Sequence, residues 1–176
     1  MKVFISHQKD DIGIAQLIAT ELQKYKVESY LDVFDISVPK NNSEKLTGHI
    51  KRNLLDCTDV LVLMTLNTKK SWWVPFEIGL AEGNNIPVVT WLSINDELPA
   101  YLDFWPRVGT LSQLEKYVDL SEERLNKKRH LREQLMEGIE NTDLYSMEDI
   151  QADFIEDEKN LNLEFYRDLK RNLRGY

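Results

Sequence analysis

A single cysteine, Cys57, occurs in the sequence, which excludes a disulfide framework and a thiolate metal centre. Histidine is scarce as well. His7, His49 and His130 are scattered with no ligand spacing such as His-Glu-x-x-His, so no metal site is expected. His49, His130 and Cys57 read as structural residues. No window approaches the length of a membrane span, and the opening apolar run is too short for a signal peptide. A soluble, cytoplasmic protein with no membrane partner is the expectation. A basic excess is also missing: 22 Lys and Arg face 30 Asp and Glu, for a net charge of −8. Phosphate neutralisation needs concentrated cations, so a nucleic-acid partner is not expected. The one basic cluster, Lys127, Lys128, Arg129 and Arg132, is flanked by acids on both sides. No internal repeat and no low-complexity tract occurs.

What is present suits a buried core. The chain has 176 residues, of which 42% are hydrophobic, enough for one ordinary domain plus a helical extension. Val3-Phe4-Ile5 is a short strand-like run. Ile14, Leu17, Ile18, Leu22 and Tyr25 then recur at helical spacing, with Asp10 or Asp11 as a cap. Val27 to Leu31 reads as a second strand, and residues 32–42 as a polar loop containing Pro39. Leu46, Ile50, Leu54 and Cys57 mark another helix, capped by Asn42 or Ser43. Val60 to Met64 is almost wholly apolar, the look of a strand covered on both faces in a parallel sheet. A short helix over 72–84 and a strand over 86–92 complete the alternation. The predicted class is therefore α/β, a flavodoxin-like open parallel sheet whose sites lie at the carboxyl ends of the strands.

The pattern changes after about Leu120, which predicts an α/β domain over 1–120 and a helical extension over 121–176. Ser121 can cap a helix running through Leu131, Leu135 and Ile139. Ser146 and Asp149 resemble a capping box ahead of Ile150 and Phe154. Leu161, Phe165, Leu169 and Leu173 form an apolar stripe on a last helix. These helices either pack back onto the core or meet another subunit.

The segment from Ser71 to Ala81 is the most informative. Pro75 fits only the first turn of a helix, so the helix begins near Trp73 or Val74. Trp73 and Glu77 are one turn apart and project from the same face. Glu77 lies near the positive helix end, which favours an ionised carboxylate. The strand feeding the loop ends near Thr65, at the ligand-binding edge of the sheet. An indole beside a fixed carboxylate suits a flat ring and a sugar that becomes cationic. A core indole and an ordinary first-turn acid would share this spacing, but adjacent tryptophans in a polar loop are costly unless they pack or bind something.

Several motifs occur together in order. Lys2-Val3-Phe4-Ile5-Ser6-His7 resembles the first motif of TIR (Toll/interleukin-1 receptor-like) domains. Tyr30 to Asp35 falls where that family has the loop after its second strand, and Asp59 to Met64 looks like its third strand. Ser71-x-Trp73-Val74-x-x-Glu77-Ile78 is similar to the Trp-x-x-x-Glu helix start of the TIR enzymes that consume NAD+. The resemblance covers about residues 1–120.

The resemblance implies that Glu77 is catalytic, engaging the nicotinamide-side ribose of NAD+ as the bond to nicotinamide breaks. NAD+ is then substrate, and no cofactor is implied. Ser6 and His7 fall where the family contributes to the nucleotide pocket. Asp32, Phe34 and Asp35 fall in the loop that reaches toward a neighbouring subunit in TIR assemblies, and Ser71 either orients the site or caps the helix. Trp73, Asp32 and Phe34 join Ser6, His7 and Ser71 as candidate substrate-binding residues. Water as acceptor gives ADP-ribose; an acceptor within the same molecule gives a cyclic ADP-ribose. Many short bacterial TIR proteins resemble producers of such signals in anti-phage defence, which implies a homo-oligomer or TIR–TIR assembly and a downstream effector. The chain departs from the pattern at Val38 to Asn42, where a proline is present without a following glycine.

Three other classes share parts of the pattern, and the first is excluded. A receiver domain needs an aspartate at the end of the third strand, where Met64-Thr65-Leu66 stands instead. A nucleoside deoxyribosyltransferase-like enzyme would also use a glutamate on an α/β sheet, acting on a free nucleoside. A non-enzymatic TIR module would signal by homotypic contact, but such adaptors usually lack the glutamate.

Overall fold

The structure is a computed structural model that describes residues 1–31, 43–92, 100–140 and 147–173. Five parallel strands run in the order β2-β1-β3-β4-β5: β1 Lys2–Ser6, β2 Glu28–Leu31, β3 Asp59–Met64, β4 Val88–Leu92 and β5 Arg107–Val108. β3 is central and every one of its residues is buried, as a strand with helices over both faces requires. Val60 aligns with Phe4 on one side and Val88 on the other, so the apolar runs meet in register. The α/β, flavodoxin-like class read from the sequence is the class observed.

Among the described residues five α-helices complete the fold: α1 Ile12–Lys24, α2 Ser43–Leu55, α3 Trp73–Gly83, α4 Leu111–Glu140 and α5 Met147–Leu173. Right-handed crossovers send α1 to one face and α2 with α3 to the other. Accordingly α1 packs beside α4, and α2 beside α3. The chain leaves β1 toward β2 and returns past it to β3. The topological switch point, where open α/β sheets bind ligands, therefore lies between β1 and β3.

α1 and α3 end alike. Val27 N–H donates to Leu22 O and Lys26 N–H to Gln23 O; Ile86 N–H donates to Ala81 O and Asn85 N–H to Glu82 O. Both are Schellman closures, with Lys26 (φ 60°) and Asn85 (φ 54°) in the left-handed position that glycine usually takes. These closures use Val27 and Ile86, so β2 and β4 begin later than the apolar runs do. Along α1 the buried stripe is Ala15, Ile18 and Leu22, while Ile14 and Leu17 turn to solvent.

The C-terminal part differs more from expectation. β5 has only two residues, too few for a pattern to register. α4 begins at Leu111, so Ser121 is not a cap but a mid-helix residue whose hydroxyl donates to Asp59 Oδ1 at 3.2 Å. Arg124, one turn on, forms an ion pair with Asp59 Oδ2 at 2.9 Å, both side chains almost fully buried. Its Nη1 donates to Asn162 Oδ1 of α5 at 3.2 Å. Ser146 lies outside the described residues, and α5 begins just after it. The stripe on α5 packs inward: Phe165 and Leu169 are core residues, and Tyr166 Oη accepts a 2.8 Å hydrogen bond from Val88 N–H. Among the described residues no helix is long and apolar enough to cross a membrane.

Candidate functional site

β1 delivers Ser6, fully buried, to the carboxyl edge of the sheet. His7 follows, nearly buried, and its Nδ1 donates to Ile5 O at 2.9 Å. A carbonyl can only accept, so in the neutral ring Nε2 is left as an acceptor.

The loop from β3 to α3 is tied down by a polar cluster that the sequence did not reveal. Thr68 Oγ donates to Leu63 O at 2.7 Å, and Thr65 N–H donates to Thr68 Oγ at 3.1 Å. Asp11, only 4% exposed, accepts from Thr65 Oγ at 2.7 Å and from Asn67 Nδ2 at 2.8 Å. The sequence offers Asp11, or Asp10 beside it, as a helix cap. It does occupy the N-cap position of α1, but its side chain makes no capping bond, because both oxygens are engaged across the gap between β1 and β3. The pairing joins residues 54 and 56 positions apart, beyond the reach of any local signal.

Ser71 supports the start of α3, its Oγ accepting from the N–H groups of Trp73 and Val74 at 3.3 Å each. Its hydroxyl therefore serves the helix, the simpler of the two readings. Pro75 lies in the first turn, as expected. Trp73 is half-buried against the core and meets Phe76 edge to face, with ring centroids 5.8 Å apart. Trp72 does not pack: it is 92% exposed.

Glu77, one turn beyond Trp73, is 1% exposed, and Ser6 Oγ donates to its Oε2. The contact spans 71 positions and closes the switch point from both sides. A carboxylate held there by a hydroxyl can oppose a positive charge developing on a substrate. Among the predicted residues the structure joins Ser6 to Glu77, keeps His7 next to Ser6 in the chain, and sets Ser71 and Trp73 at the start of the helix that carries Glu77. Asp32 and Phe34 lie outside the described residues.

The residues read as structural are engaged elsewhere. His49 Nε2 meets Tyr30 Oη at 3.0 Å, and His130 Nε2 lies 3.1 Å from Gln134 Nε2 on an exposed stretch of α4. Cys57 is buried, its Sγ donating to Asn53 O at 3.2 Å, and burial pushes its thiol up to about 12.

Comparison with known proteins bears on the fold and the family. Among solved structures, a 2-deoxyribosyltransferase from the psychrotolerant bacterium Bacillus psychrosaccharolyticus superimposes with a TM-score of 0.53 at 10% identity, over 65% of this chain and 90% of that one. That likeness is one of fold. A conserved protein from Enterococcus faecalis V583 matches with a TM-score of 0.46 at 16% identity, over 57% of this chain and 69% of its own. No curated protein matches the sequence. The TIR domain family matches residues 3–136, which takes in all of the sheet but its first residue, the Ser6–Glu77 contact and most of α4. The chain belongs to the TIR domain family.

Proposed function

We propose that the protein cleaves NAD+ between nicotinamide and its ribose, with Glu77 as the catalytic carboxylate. The observation that carries this reading is the buried Glu77 side chain, joined to Ser6 at the switch point of a TIR-family sheet. In the reaction the C–N bond breaks and its electron pair leaves with nicotinamide, which departs neutral. The ribose carbon is left with oxocarbenium character, and a fixed carboxylate in a dry site stabilises that charge. Because nicotinamide leaves from a cationic ring, no strong general acid is needed. Water then attacks and loses a proton, giving ADP-ribose, or a group of the same molecule attacks and gives a cyclic ADP-ribose. Trp73 offers a ring face to the substrate, while Ser6 and Ser71 hold the carboxylate and its helix. His7, Asp32 and Phe34 complete the proposed pocket. The product is a nucleotide signal for a downstream effector, made in the cytoplasm by a homo-oligomer or TIR–TIR assembly acting in immune or anti-phage defence.

A second reading draws on the fold shared with the 2-deoxyribosyltransferase, namely N-glycosidic chemistry on a free nucleoside. In a third, the chain is a TIR module that signals by homotypic contact without catalysis. The buried glutamate argues for an enzyme over that third reading. Incubating purified protein with NAD+ or with a deoxynucleoside plus a free base separates the three, with Glu77→Ala alongside. Loss of NAD+ in the wild type alone is the expected result, and chromatography of the product tells hydrolase from cyclase. NAD+ turnover that survives the alanine change would sink the role of Glu77.

A further inference from the structure

At the opposite edge of the sheet from Glu77, where the parallel strands begin, lies a groove of about 670 Å³. Met1, Thr58, Ile86 and Pro87, which lead into β1, β3 and β4, contribute to its floor. α4 forms a wall, with Arg124, Lys128 and Arg132 one turn apart along one face and Arg129 beside them. In a chain of net charge −8 this is a local excess of cations. Arg124 is neutralised by Asp59. Of the two acids lining the groove, Asp56 is paired with Lys2. Among the described residues Glu158 of α5 is then the one lining carboxylate left to balance Lys128, Arg129 and Arg132. Its Oε1 lies 3.0 Å from Lys128 Nζ and 3.3 Å from Arg132 Nη2. Arg129 is exposed and makes no ion pair or hydrogen bond among the described residues.

We propose that this groove binds a small organic phosphate or diphosphate. Glu158 Oε1 marks where an anionic oxygen sits between two cations, and Arg129 is the cation that no acid among the described residues claims. Guanidinium groups fork onto paired oxygens, so an oxyanion with several oxygens suits two arginines beside a lysine better than a single carboxylate does. The volume falls within the roughly 300–1,000 Å³ of small-molecule sites, more than an isolated ion fills. Its apolar floor, with Met1, Ile86 and Pro87, gives an organic portion something to lie on. The site is separate from the proposed NAD+ pocket, because parallel strands put their beginnings and their ends on opposite edges.

Calorimetric titration of the full chain with pyrophosphate and with ADP tests this. Both should bind, and binding should weaken with salt. The double variant Arg129→Ala/Arg132→Ala should lose about tenfold or more in affinity, the scale of a lost charge-assisted contact. Glu158→Gln should bind more tightly, since it removes the competing carboxylate. Arg129→Ala alone should show part of the loss and, having no partner to orphan, should melt like the wild type. The proposal is overturned if neither ligand binds the wild type or Glu158→Gln at millimolar concentration. It is equally overturned if ADP binds with undiminished affinity to the double variant, which would put the ligand elsewhere. Succinate binding as tightly as pyrophosphate would overturn the assignment to phosphate.

Discussion

The hydroxyl of Ser6, the last residue of β1, donates to the carboxylate of Glu77 in α3, and both side chains are essentially closed to solvent. A strand end and a helix start are thereby locked to each other at the switch point. Ser6→Ala would leave Glu77 in place without that donor. A hydrogen bond to a charged group contributes about 1.5–3 kcal/mol, so kcat for the proposed NAD+ cleavage should fall by about tenfold to a hundredfold. KM should change little if the contact positions the carboxylate rather than the substrate. Steady-state assays of wild type and variant give the split, and an unchanged kcat would remove Ser6 from the mechanism.

Asp11 holds the β3–α3 loop through Thr65 and Asn67. Asp11→Ala leaves two part-buried donors without their acceptor, at a cost of about 1 kcal/mol for each, the lower end of the penalty for an unsatisfied group. Urea unfolding should register this loss. Thr65→Val measured alone and in combination should be strongly non-additive with it, since the two groups share one bond. Additive losses would show that the cluster does not act as a unit.

How much of this is legible in the sequence depends on the range of each interaction. The apolar run of β3 and the Trp73–Glu77 spacing are local patterns, and neighbouring residues alone are enough to read both. Pro75 places the start of α3 for the same reason. Asp11 misleads because an aspartate before a helix has a cheap local explanation, and its actual partners come from a loop far along the chain. β5 is too short to carry a period. Ser121 looks like a helix start because serine is common there, yet its partner is Asp59, on a central strand. The family resemblance assigns Ser6 and Glu77 to one site, but their contact is not legible in the sequence, because nothing in the spacing joins them.

The Arg124–Asp59 pair is a second such long-range link, and a buried one. Arg124→Met should destabilise the protein by about 3–5 kcal/mol, because Asp59 would be left charged and unpaired in the core. Adding Asp59→Asn should recover part of the loss by removing that stranded charge. Thermal or urea denaturation of the single and double variants decides it. A double variant less stable than Arg124→Met would contradict the account.

Cys57 should behave as an inert thiol. Its ordinary value is 9.0, and burial pushes it up to about 12, so the folded chain keeps it protonated where the unfolded chain ionises. The folded-state value is the higher one. Its contribution to stability is therefore complete below about pH 9 and is lost as pH rises toward 12. At pH 8 a thiol-reactive dye should label native protein far more slowly than protein in denaturant. Equal rates would mean that the residue is open to solvent.

α5 completes the core rather than decorating it: Phe165, Tyr166 and Leu169 are buried, and Tyr166 reaches the backbone of β4. Tyr166→Phe should cost about 1–3 kcal/mol, the penalty for leaving Val88 N–H unpaired in a closed site. Removing everything after Glu140 takes away all three of those core side chains, each a loss of about 2–5 kcal/mol if truncated singly. Typical domains have only about 5–15 kcal/mol in total. The truncated chain should therefore fail to fold, losing its cooperative melting transition by circular dichroism. A fragment ending at residue 140 that stays soluble and melts cooperatively would show that the sheet and α4 suffice, and that α5 serves another purpose.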